Sequence, residues 1–273
     1  MMDLSQPSVF ASISSPNVSV APIMYNAAFK TLGLNCVYVS FDVNDLPTAI
    51  RGLRALNIRG FSVSRPFKEQ CLTLLDRTDP IARAIGAVNV VKNENGSLIG
   101  HNSDWIGAVR ALEQHGAISG KRAAVLGAGG AGRAFAYGLK ANGADVYLYN
   151  RTRIRAKRVC EELGVNFGGG FEDLTGLLAA DIVVNATPVG SISTSETDIL
   201  SREVIRPGQV ILDAVVLPLN TNLILAAQSA GCIAVRGVEL FVYQGAVAFE
   251  QFTGTKAPID EMFASLMAEL KTR

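Results

Sequence analysis

The sequence is poor in histidine and cysteine. Its 273 residues contain two His, His101 and His115, and four Cys without a Cys-x-x-Cys pair. Two histidines are too few for a His-rich metal site, and four scattered cysteines indicate neither a zinc knuckle nor a disulfide framework. We therefore expect no bound metal and a reducing, cytoplasmic location, and any acid–base chemistry would come from Lys, Asp, Glu or Tyr.

An excess of charge of either sign is also missing. Lys and Arg number 25 against 24 Asp and Glu, which leaves a formal net charge of +1. Such a chain has no overall field that would attract nucleic acid or an anionic membrane. We therefore expect neither of them as a partner.

No stretch of the sequence predicts a membrane span or a signal peptide. The two long uncharged stretches are residues 4–29 and 214–235. The first is rich in Ser and Pro and follows Asp3 instead of a basic segment, and the second is interrupted by Pro218. Both features argue against a hydrophobic helix that enters a bilayer.

What the sequence does contain is a regular alternation of apolar runs, bounded by Gly and Pro, with helical patterns. Hydrophobic residues make up 49% of the chain and charged residues 18%. The alternation is typical of parallel sheets with crossover helices, so the predicted fold class is α/β. The length corresponds to one large domain or two modest ones of roughly 100–200 residues each.

The first hundred residues have the pattern of a smaller α/β domain. Its predicted strands lie near 9–13, 36–42, 60–64, 87–92 and 97–100. The last two form a hairpin around Asn95-Gly96. Pro22 is predicted to open a helix, and Pro66 is predicted to open a short helix that carries Lys68.

From Lys121 onward strands and helices alternate strictly. The predicted elements are a strand at 123–127, a helix at 130–141, a strand at 145–149, a helix at 152–163 and strands at 181–185 and 209–213. This order is that of a doubly wound unit. Two predicted helices, 238–253 and 258–272, follow it and would pack back on the first domain. We therefore predict a discontinuous substrate domain of residues 1–104 and 238–273, a second domain of residues 105–237, and an active cleft between them.

A glycine-rich turn opens the second domain. The sequence Gly127-Ala128-Gly129-Gly130-Ala131-Gly132 fits the pattern G-x-G-x-x-G, follows an apolar strand and opens a helix. In this setting backbone N–H groups hold a pyrophosphate. We therefore predict a dinucleotide site on a Rossmann domain, with contacts from Gly127, Gly129, Gly130, Ala131 and Gly132. The alternative is that the glycines only allow tight packing of the helix on the strand.

The residues after the second strand of this unit indicate which dinucleotide binds. NAD-binding units place an Asp or Glu there for the ribose 2′-OH, whereas this sequence has Asn150, followed by Arg151, Thr152, Arg153 and Arg155. Guanidinium groups without a carboxylate suit a 2′-phosphate, so NADP is predicted, with contacts from Asn150, Arg151, Thr152 and Arg155. Alternatively the arginines form a solvated helix start, although three cations oppose the helix dipole there.

Several motifs occur in the order found in one enzyme family. They are Gly60-Phe61-Ser62-Val63-Ser64-Arg65-Pro66-Phe67-Lys68, Gly86-Ala87-Val88-Asn89, Asn102-Ser103-Asp104, the glycine turn, Asn150-Arg151-Thr152, Asn185-Ala186-Thr187-Pro188 and Tyr243-Gln244-Gly245-Ala246. With these motifs the sequence resembles the shikimate dehydrogenase family over nearly its whole length. That family reads G-x-N-V-T-x-P-x-K, G-A-V-N-T and N-T-D at the first three motifs.

The sequence departs from the family pattern in places. Residues that differ from the usual Asn, Thr or Tyr are Ser62, Ser64, Val90, Ser103 and Val216. The family's carboxylate-binding motif S-x-S-P aligns with Ser19 and Pro22, but its second Ser is Ala21 here. Ser12 and Ser14, at the end of the first strand, form an alternative pair that resembles the shikimate dehydrogenase-like branch. We favour that branch.

The resemblance implies a role for each residue of the predicted site. Lys68 and Asp104 would transfer the proton that accompanies hydride transfer. The residues that would bind the carboxylate and the ring hydroxyls of the substrate are Ser12, Ser14, Ser64, Asn89, Asn102 and Gln244. Thr187 and Gly237 would complete the cofactor site. Without the resemblance, Lys68 would be interpreted as an exposed helix residue and Asp104 as the N-cap of a helix over 105–115.

The predicted activity is the NADP-dependent interconversion of shikimate and 3-dehydroshikimate. Quinate or another cyclitol carboxylate is the alternative substrate. An alternative of a different class is a non-catalytic module that senses NADP or a metabolite on the same fold. Lys68 and Asp104 argue against a sensor, because a sensor needs no proton-transfer pair. As partners we expect only the small-molecule substrate and cofactor, in a monomer or a homodimer.

Overall fold

The computed structural model describes residues 7–16 and 19–272. The chain divides into two compact units. Unit 1 contains the described residues up to Ser103 together with Gln244–Glu269, and unit 2 contains Asp104–Tyr243 and the described residues from Leu270 onward. The predicted substrate domain also includes residues 1–6, 17–18 and 273, which lie outside the described residues. Its functional boundaries at 104 and 238 stay a prediction.

Unit 1 is built on a mixed sheet. Its strands are β1 Ser8–Ser14, β2 Cys36–Asp42, β3 Gly60–Val63, β4 Arg77–Thr78, β5 Val90–Glu94 and β6 Ser97–His101. They lie in the order β2-β1-β3-β5-β6-β4. β1 runs parallel to β2 and β3, whereas β5 is antiparallel to β3 and forms a hairpin with β6. The helices between the strands are α1 Ala21–Thr31, α2 Leu46–Ala55 and α3 Pro80–Ile85.

Unit 2 is built on a sheet whose strand pairs are all parallel in the part that the structure describes. Its strands are β7 Arg122–Leu126, β8 Asp145–Tyr149, β9 Asn166–Gly169, β10 Ile182–Asn185, β11 Val210–Asp213 and β12 Ile233–Val235, in the order β12-β11-β10-β7-β8-β9. Its helices are α4 Asp104–Glu113, α5 Gly130–Ala141, α6 Arg153–Leu163, α7 Leu174–Leu178 and α8 Asn222–Ser229. The strand order is that of a Rossmann unit and reverses between β7 and β10, where such sheets bind ligands. Two helices end the chain, α9 Gly237–Thr253 and α10 Ile259–Leu270.

One face of the unit 1 sheet carries an aromatic cluster. Phe10 of β1 lies between Phe29 of α1 and Phe252 of α9, with ring centroids 5.6 and 5.3 Å away. Ile13 belongs to the core on the opposite face, which includes residues of α2. Because side chains alternate along a strand, Ser12 shares the face of Phe10. The buried end of β1 therefore presents polar groups beside an apolar cluster.

The predicted α/β class and the doubly wound unit are confirmed, and several predicted boundaries coincide with the structure. The bounds of β2, α5 and β8 are those that the sequence predicts. The hairpin of β5 and β6 turns at Asn95 and Gly96, whose φ angles of 54° and 92° are both positive. The sequence does not predict β4, β9, β12 or α7, because segments of two to five residues are too short for a periodic pattern.

The prediction that Pro66 opens a helix is wrong. Residues 65–69 form turns, and a 3₁₀-helix follows only at Gln70–Leu74. The physical reason is a non-local hydrogen bond. The Val88 N–H donates to the Lys68 carbonyl over 2.8 Å and ties this stretch to the segment before β5. An α-helix would instead pair that carbonyl with the N–H of Leu72.

The aromatic cluster on β1 generates a stability prediction. Phe10→Ala should lower the free energy of unfolding by about 3–5 kcal/mol, because it opens a cavity between α1, α9 and the sheet. Leu56 is 75% exposed, and Leu56→Ala should change that free energy by less than about 0.5 kcal/mol. Urea denaturation of the two variants compares them, and equal losses would contradict the role given to the cluster.

Candidate active site

The glycine-rich turn lies between β7 and α5. Gly127 has a φ angle of +108°, and a Cβ there would come within 2.9 Å of Thr187 Cγ2. A Cβ on Gly132 would overlap the carbonyl group of Gly127. By contrast, no described heavy atom lies within 4 Å of the Cβ position of Gly129. The turn therefore needs glycine for close packing at two positions and leaves open space at the N-terminus of α5, which fits a bound pyrophosphate.

Asn150 locks this turn to the segment that follows β8. The Ala128 N–H donates to Asn150 Oδ1 over 3.1 Å, and Asn150 Nδ2 donates to the Thr152 carbonyl over 3.0 Å. An amide can accept and donate in this way, whereas an ionised Asp could only accept. These two hydrogen bonds therefore explain why an amide stands at position 150. The absence of a carboxylate that would repel a 2′-phosphate is a second explanation.

The predicted arginine cluster divides into three different environments. Arg155 Nε donates to the Ala128 carbonyl over 3.0 Å, which places this guanidinium at the glycine turn. The Arg151 side chain is 80% exposed, and its Nη1 lies 3.4 Å from Glu196 Oε1. Arg153 forms ion pairs with Glu172 and Asp173. The structure thus separates Arg153, which is paired with two carboxylates, from Arg151 and Arg155, whose role as cofactor contacts stays a prediction.

A buried polar network fixes the loop after β10. Thr187 donates to Asn185 Oδ1 through its N–H over 2.9 Å and through its hydroxyl over 2.7 Å. Asn185 Nδ2 donates in turn to Asp213 Oδ1 over 2.9 Å, and the Thr221 hydroxyl donates to Asp213 Oδ2 over 2.6 Å. Burial raises the pKa of Asp213, opposed by these hydrogen bonds. The network thus positions Thr187, the predicted cofactor contact.

Sequence reasoning did not single out Asp213 or the role of Asn185 in this network. The signal that could have found them is their position, because each is the last residue of a predicted strand at the carboxyl edge of the sheet. Gly237 lies beside the same network. A Cβ on Gly237 would come within 2.8 Å of the Asp213 carbonyl oxygen and still closer to Val215. Only glycine, which has no Cβ, therefore allows α9 to begin this close to the backbone of Asp213 and Val215.

Two of the three predicted substrate amides lie together in unit 1. Asn89 Nδ2 donates to Ser103 Oγ over 3.0 Å and to Gln244 Oε1 over 3.2 Å, and the Ser103 N–H donates to Asn89 Oδ1 over 2.7 Å. All three side chains are buried. Asn102 lies beside them in the chain, and its Nδ2 donates to the Ala87 carbonyl over 2.9 Å. Ser103, seen in the sequence only as a departure from the motif, is a full member of this amide network.

The predicted acid–base residues adjoin the amide network through their backbones. The Lys68 carbonyl accepts from the N–H of Val88, the residue before Asn89. Asp104 follows Ser103 directly and is 5% exposed. Asp104 is the first residue of α4. The alternative interpretation, in which Asp104 caps a helix over 105–115, therefore differs from the structure by one residue at the start of the helix. Sequence spacing alone could not show that both motifs end beside one buried network.

The two alternative carboxylate motifs turn out to be neighbours. Ser12 Oγ lies 3.3 Å from Ser19 Oγ in hydrogen-bond contact, and the Ala21 N–H donates to Ser19 Oγ over 3.2 Å. Ser12 and Ser14 are both buried on β1, whereas Ser64 follows β3 and is exposed. The Ser64 N–H donates to the Ile13 carbonyl over 2.9 Å, which holds it beside β1. The assignment of the carboxylate to Ser12 therefore does not exclude a contact from Ser19 as well.

Family models agree with this arrangement along most of the chain. The model described as "Shikimate dehydrogenase substrate binding domain" matches residues 14–91, "Shikimate / quinate 5-dehydrogenase" matches 110–213, and "Shikimate 5'-dehydrogenase C-terminal domain" matches 237–267. The curated shikimate dehydrogenase (NADP(+)) of Pyrococcus furiosus is 42% identical over 268 residues, 97% of each chain. The chain belongs to the shikimate dehydrogenase family.

Solved structures of the shikimate dehydrogenase family have the same fold. A crystal structure of a shikimate dehydrogenase in complex with NADP⁺ is similar with a TM-score of 0.91 and 37% identity, covering 97% of this chain and 96% of that one. The Thermus thermophilus enzyme in complex with NADP(H) and shikimate gives a TM-score of 0.87 and 34% identity, covering 96% and 99%. The placement in the shikimate dehydrogenase-like branch stays a prediction.

Neither a metal-binding cluster nor a membrane-spanning helix occurs among the described residues. No group of three or more His, Cys, Asp or Glu side chains in residues 7–16 and 19–272 is arranged to hold a metal ion. Within the same residues, no helix is both long and apolar enough to cross a membrane.

The glycine turn yields a paired prediction. Gly132→Ala should destabilise the protein itself by about 1–3 kcal/mol, because its Cβ overlaps the Gly127 carbonyl. Gly129→Ala should leave the melting temperature unchanged, because the structure has room for this Cβ, yet weaken dinucleotide binding about tenfold by filling the space above α5. Thermal unfolding without cofactor and titration with NADP separate the two effects. Equal changes in melting temperature and in NADP affinity for the two variants would contradict the different roles given to Gly132 and Gly129.

Proposed function

We propose that this protein is an NADP-dependent shikimate dehydrogenase that interconverts shikimate and 3-dehydroshikimate. The observation that carries the proposal is the amide network of Asn89, Ser103 and Gln244, bordered by Lys68 and Asp104, in a chain that also holds a complete glycine turn. A ring with several hydroxyls needs donors and acceptors together, which buried amides supply. The names of the related proteins, shikimate dehydrogenase (NADP(+)), support the same substrate and cofactor.

The residues of unit 2 fit NADP. The N–H groups at the start of α5 would hold the pyrophosphate, and Arg151 and Arg155 would bind the 2′-phosphate. Thr187, held by the Asp213 network, and Gly237 would border the rest of the cofactor. When bound, the nicotinamide supplies or accepts the hydride.

Proton transfer is assigned to Lys68 and Asp104. In the reduction of the ketone, the Lys68 ammonium gives its proton to the carbonyl oxygen as that oxygen becomes a hydroxyl. In the oxidation of shikimate, the neutral Lys68 amine takes the proton of the same hydroxyl. Asp104, through the family resemblance, would hold the ammonium and a ring hydroxyl in register. A sensor would need neither step.

The substrate carboxylate is assigned to neutral hydroxyl donors. Ser12 and Ser14 share one face of β1, and Ser19 lies in contact with Ser12. Ser64 is held at the same end of β1 through its backbone. Asn89, Asn102 and Gln244 would contact the ring hydroxyls. These assignments support an acid substrate with several hydroxyls and leave shikimate and quinate to be compared directly.

Steady-state oxidation of shikimate and of quinate, each with NADP and with NAD, tests the proposal. We expect the highest kcat/KM for shikimate with NADP. Binding of NADP without turnover of either acid would favour the sensing module. A higher kcat/KM for quinate would favour the alternative substrate.

Loss of the acid–base residue should be visible in kcat. Lys68→Ala should lower kcat by on the order of 10²–10⁴, the usual contribution of a positioned acid–base group, with NADP affinity nearly unchanged. Asp104→Asn should also lower kcat, and the double variant should lose less than the sum because the two residues act together. Lys30→Ala, at the end of α1, is the control and should retain kcat. A Lys68 variant with more than about half of the parent rate would refute the role.

The arginines assigned to the 2′-phosphate predict a preference for NADP over NAD. Variants of Arg151 and of the nearby Arg153 can test it. Arg151→Ala should weaken NADP binding about tenfold or more and leave NAD binding nearly unchanged, because it removes a charged partner of the 2′-phosphate. Arg153→Ala is the matched control, since Arg153 already pairs with Glu172 and Asp173. Fluorescence titration with NADPH and with NADH measures the six affinities of the parent and the two variants. The 2′-phosphate assignment fails if the parent binds both cofactors equally or if Arg153→Ala has the larger effect.

A further inference from the structure

A chain of buried hydroxyl groups crosses one end of the unit 1 sheet. Tyr38 of β2 is 1% exposed, and its hydroxyl donates to Ser62 Oγ over 2.8 Å. Ser12 of β1 lies in register beside Ser62 on the neighbouring strand. Ser12 in turn contacts Ser19 over 3.3 Å. Tyr38 therefore holds Ser62, which sequence reasoning noted only as a substitution, beside Ser12 of the carboxylate assignment.

The register of the sheet explains why these groups meet. Ser12 of β1 pairs with Ser40 of β2 on one side and with Ser62 of β3 on the other. Residues in register on parallel strands point to the same face, so the three serines form a row across the sheet. Ser14 lies two residues further on, toward the carboxyl ends of the strands. Ligands bind at such ends in α/β sheets.

Tyr38 is rigidly held. Its ring stacks on that of Tyr25, with centroids 4.2 Å apart and an angle of 13° between the planes. The Tyr25 hydroxyl donates to the Gly245 carbonyl over 3.2 Å. Gly245 follows Gln244, a member of the amide network. The Tyr38 ring is thus stacked on one face, and its hydroxyl is held by the bond to Ser62.

Serine hydroxyls need such support to bind a carboxylate well. A hydroxyl rotates freely, so a neutral donor loses rotational freedom when it must point at one ligand oxygen. A rigid partner that already occupies one side of the hydroxyl removes this cost. Burial raises the pKa of Tyr38, so its phenol stays protonated and able to donate.

We propose that Tyr38 is a positioning residue for the acid group of the substrate, because its hydroxyl donates to Ser62 and so leaves the Ser62 proton to point at a carboxylate bound at the serine row. This inference rests on the proposed function and adds a determinant of affinity for acids. Tyr38 itself acts through Ser62.

Tyr38→Phe is the test, measured with shikimate and with its methyl ester. The variant should raise KM for shikimate roughly two- to tenfold, the factor expected for one hydrogen bond, with kcat changed by less than about twofold, since the contact is present in ground and transition states alike. The competitive inhibition constant of the neutral methyl ester should change by less than about twofold. Combining Tyr38→Phe with Ser62→Ala should raise KM by less than the product of the single effects, because Tyr38 acts through Ser62.

The controls separate positioning from general stability. Tyr149→Phe removes the hydroxyl of another buried tyrosine, in unit 2, and should leave KM for shikimate unchanged. Equal weakening of acid and ester by Tyr38→Phe would show a merely structural role and overturn the inference, as would an unchanged KM for shikimate. If the parent protein does not oxidise shikimate, the proposed function fails and this inference fails with it. An active parent with a normal Tyr38→Phe variant refutes only the role of Tyr38.

Discussion

The buried amide of Asn89 is the interaction on which the proposed substrate site depends. It joins three segments that are far apart in sequence, the start of β5, the residues before α4 and the middle of α9, through Ser103 and Gln244. A buried amide that loses a partner keeps an unsatisfied polar group, which costs more than one hydrogen bond contributes. The same contacts that join Gln244 to the rest of unit 1 therefore also fix the groups that would contact the substrate ring.

Unit 2 uses side-chain amides in the same way at the carboxyl edge of its own sheet. Asn150 follows β8 and locks the glycine turn, and Asn185 ends β10 and fixes Thr187. Each amide both donates and accepts, which lets one side chain connect two backbone segments. Asp213 completes the second network, although burial raises its pKa and so disfavours its charge. Hydrogen bonds from Thr221 and Asn185 offset that cost, so the loop that carries Thr187 is fixed by a buried network.

The sequence predicts those parts of this structure whose signals are local. The glycine turn, α5 and the Asn95-Gly96 hairpin depend on neighbouring residues, and their predictions are confirmed. The helix at Pro66 is wrong because a bond from Val88, twenty residues away, decides the path of the chain at Lys68. The separate environments of Arg151 and Arg153 and the contact between Ser12 and Ser19 also depend on tertiary neighbours. No periodicity in the sequence encodes them.

Burial also limits which groups of unit 1 can take up a proton from the substrate. The pKa of both Tyr25 and Tyr38 is raised because burial disfavours their charged forms. Both phenols therefore remain protonated near neutral pH and can hold or orient a ligand, but they cannot take up a proton from the substrate hydroxyl. A base for hydride transfer must come from a group outside this hydroxyl chain. Histidine is absent from both the serine row and the amide network, which supports the proposed assignment of this step to Lys68 together with Asp104.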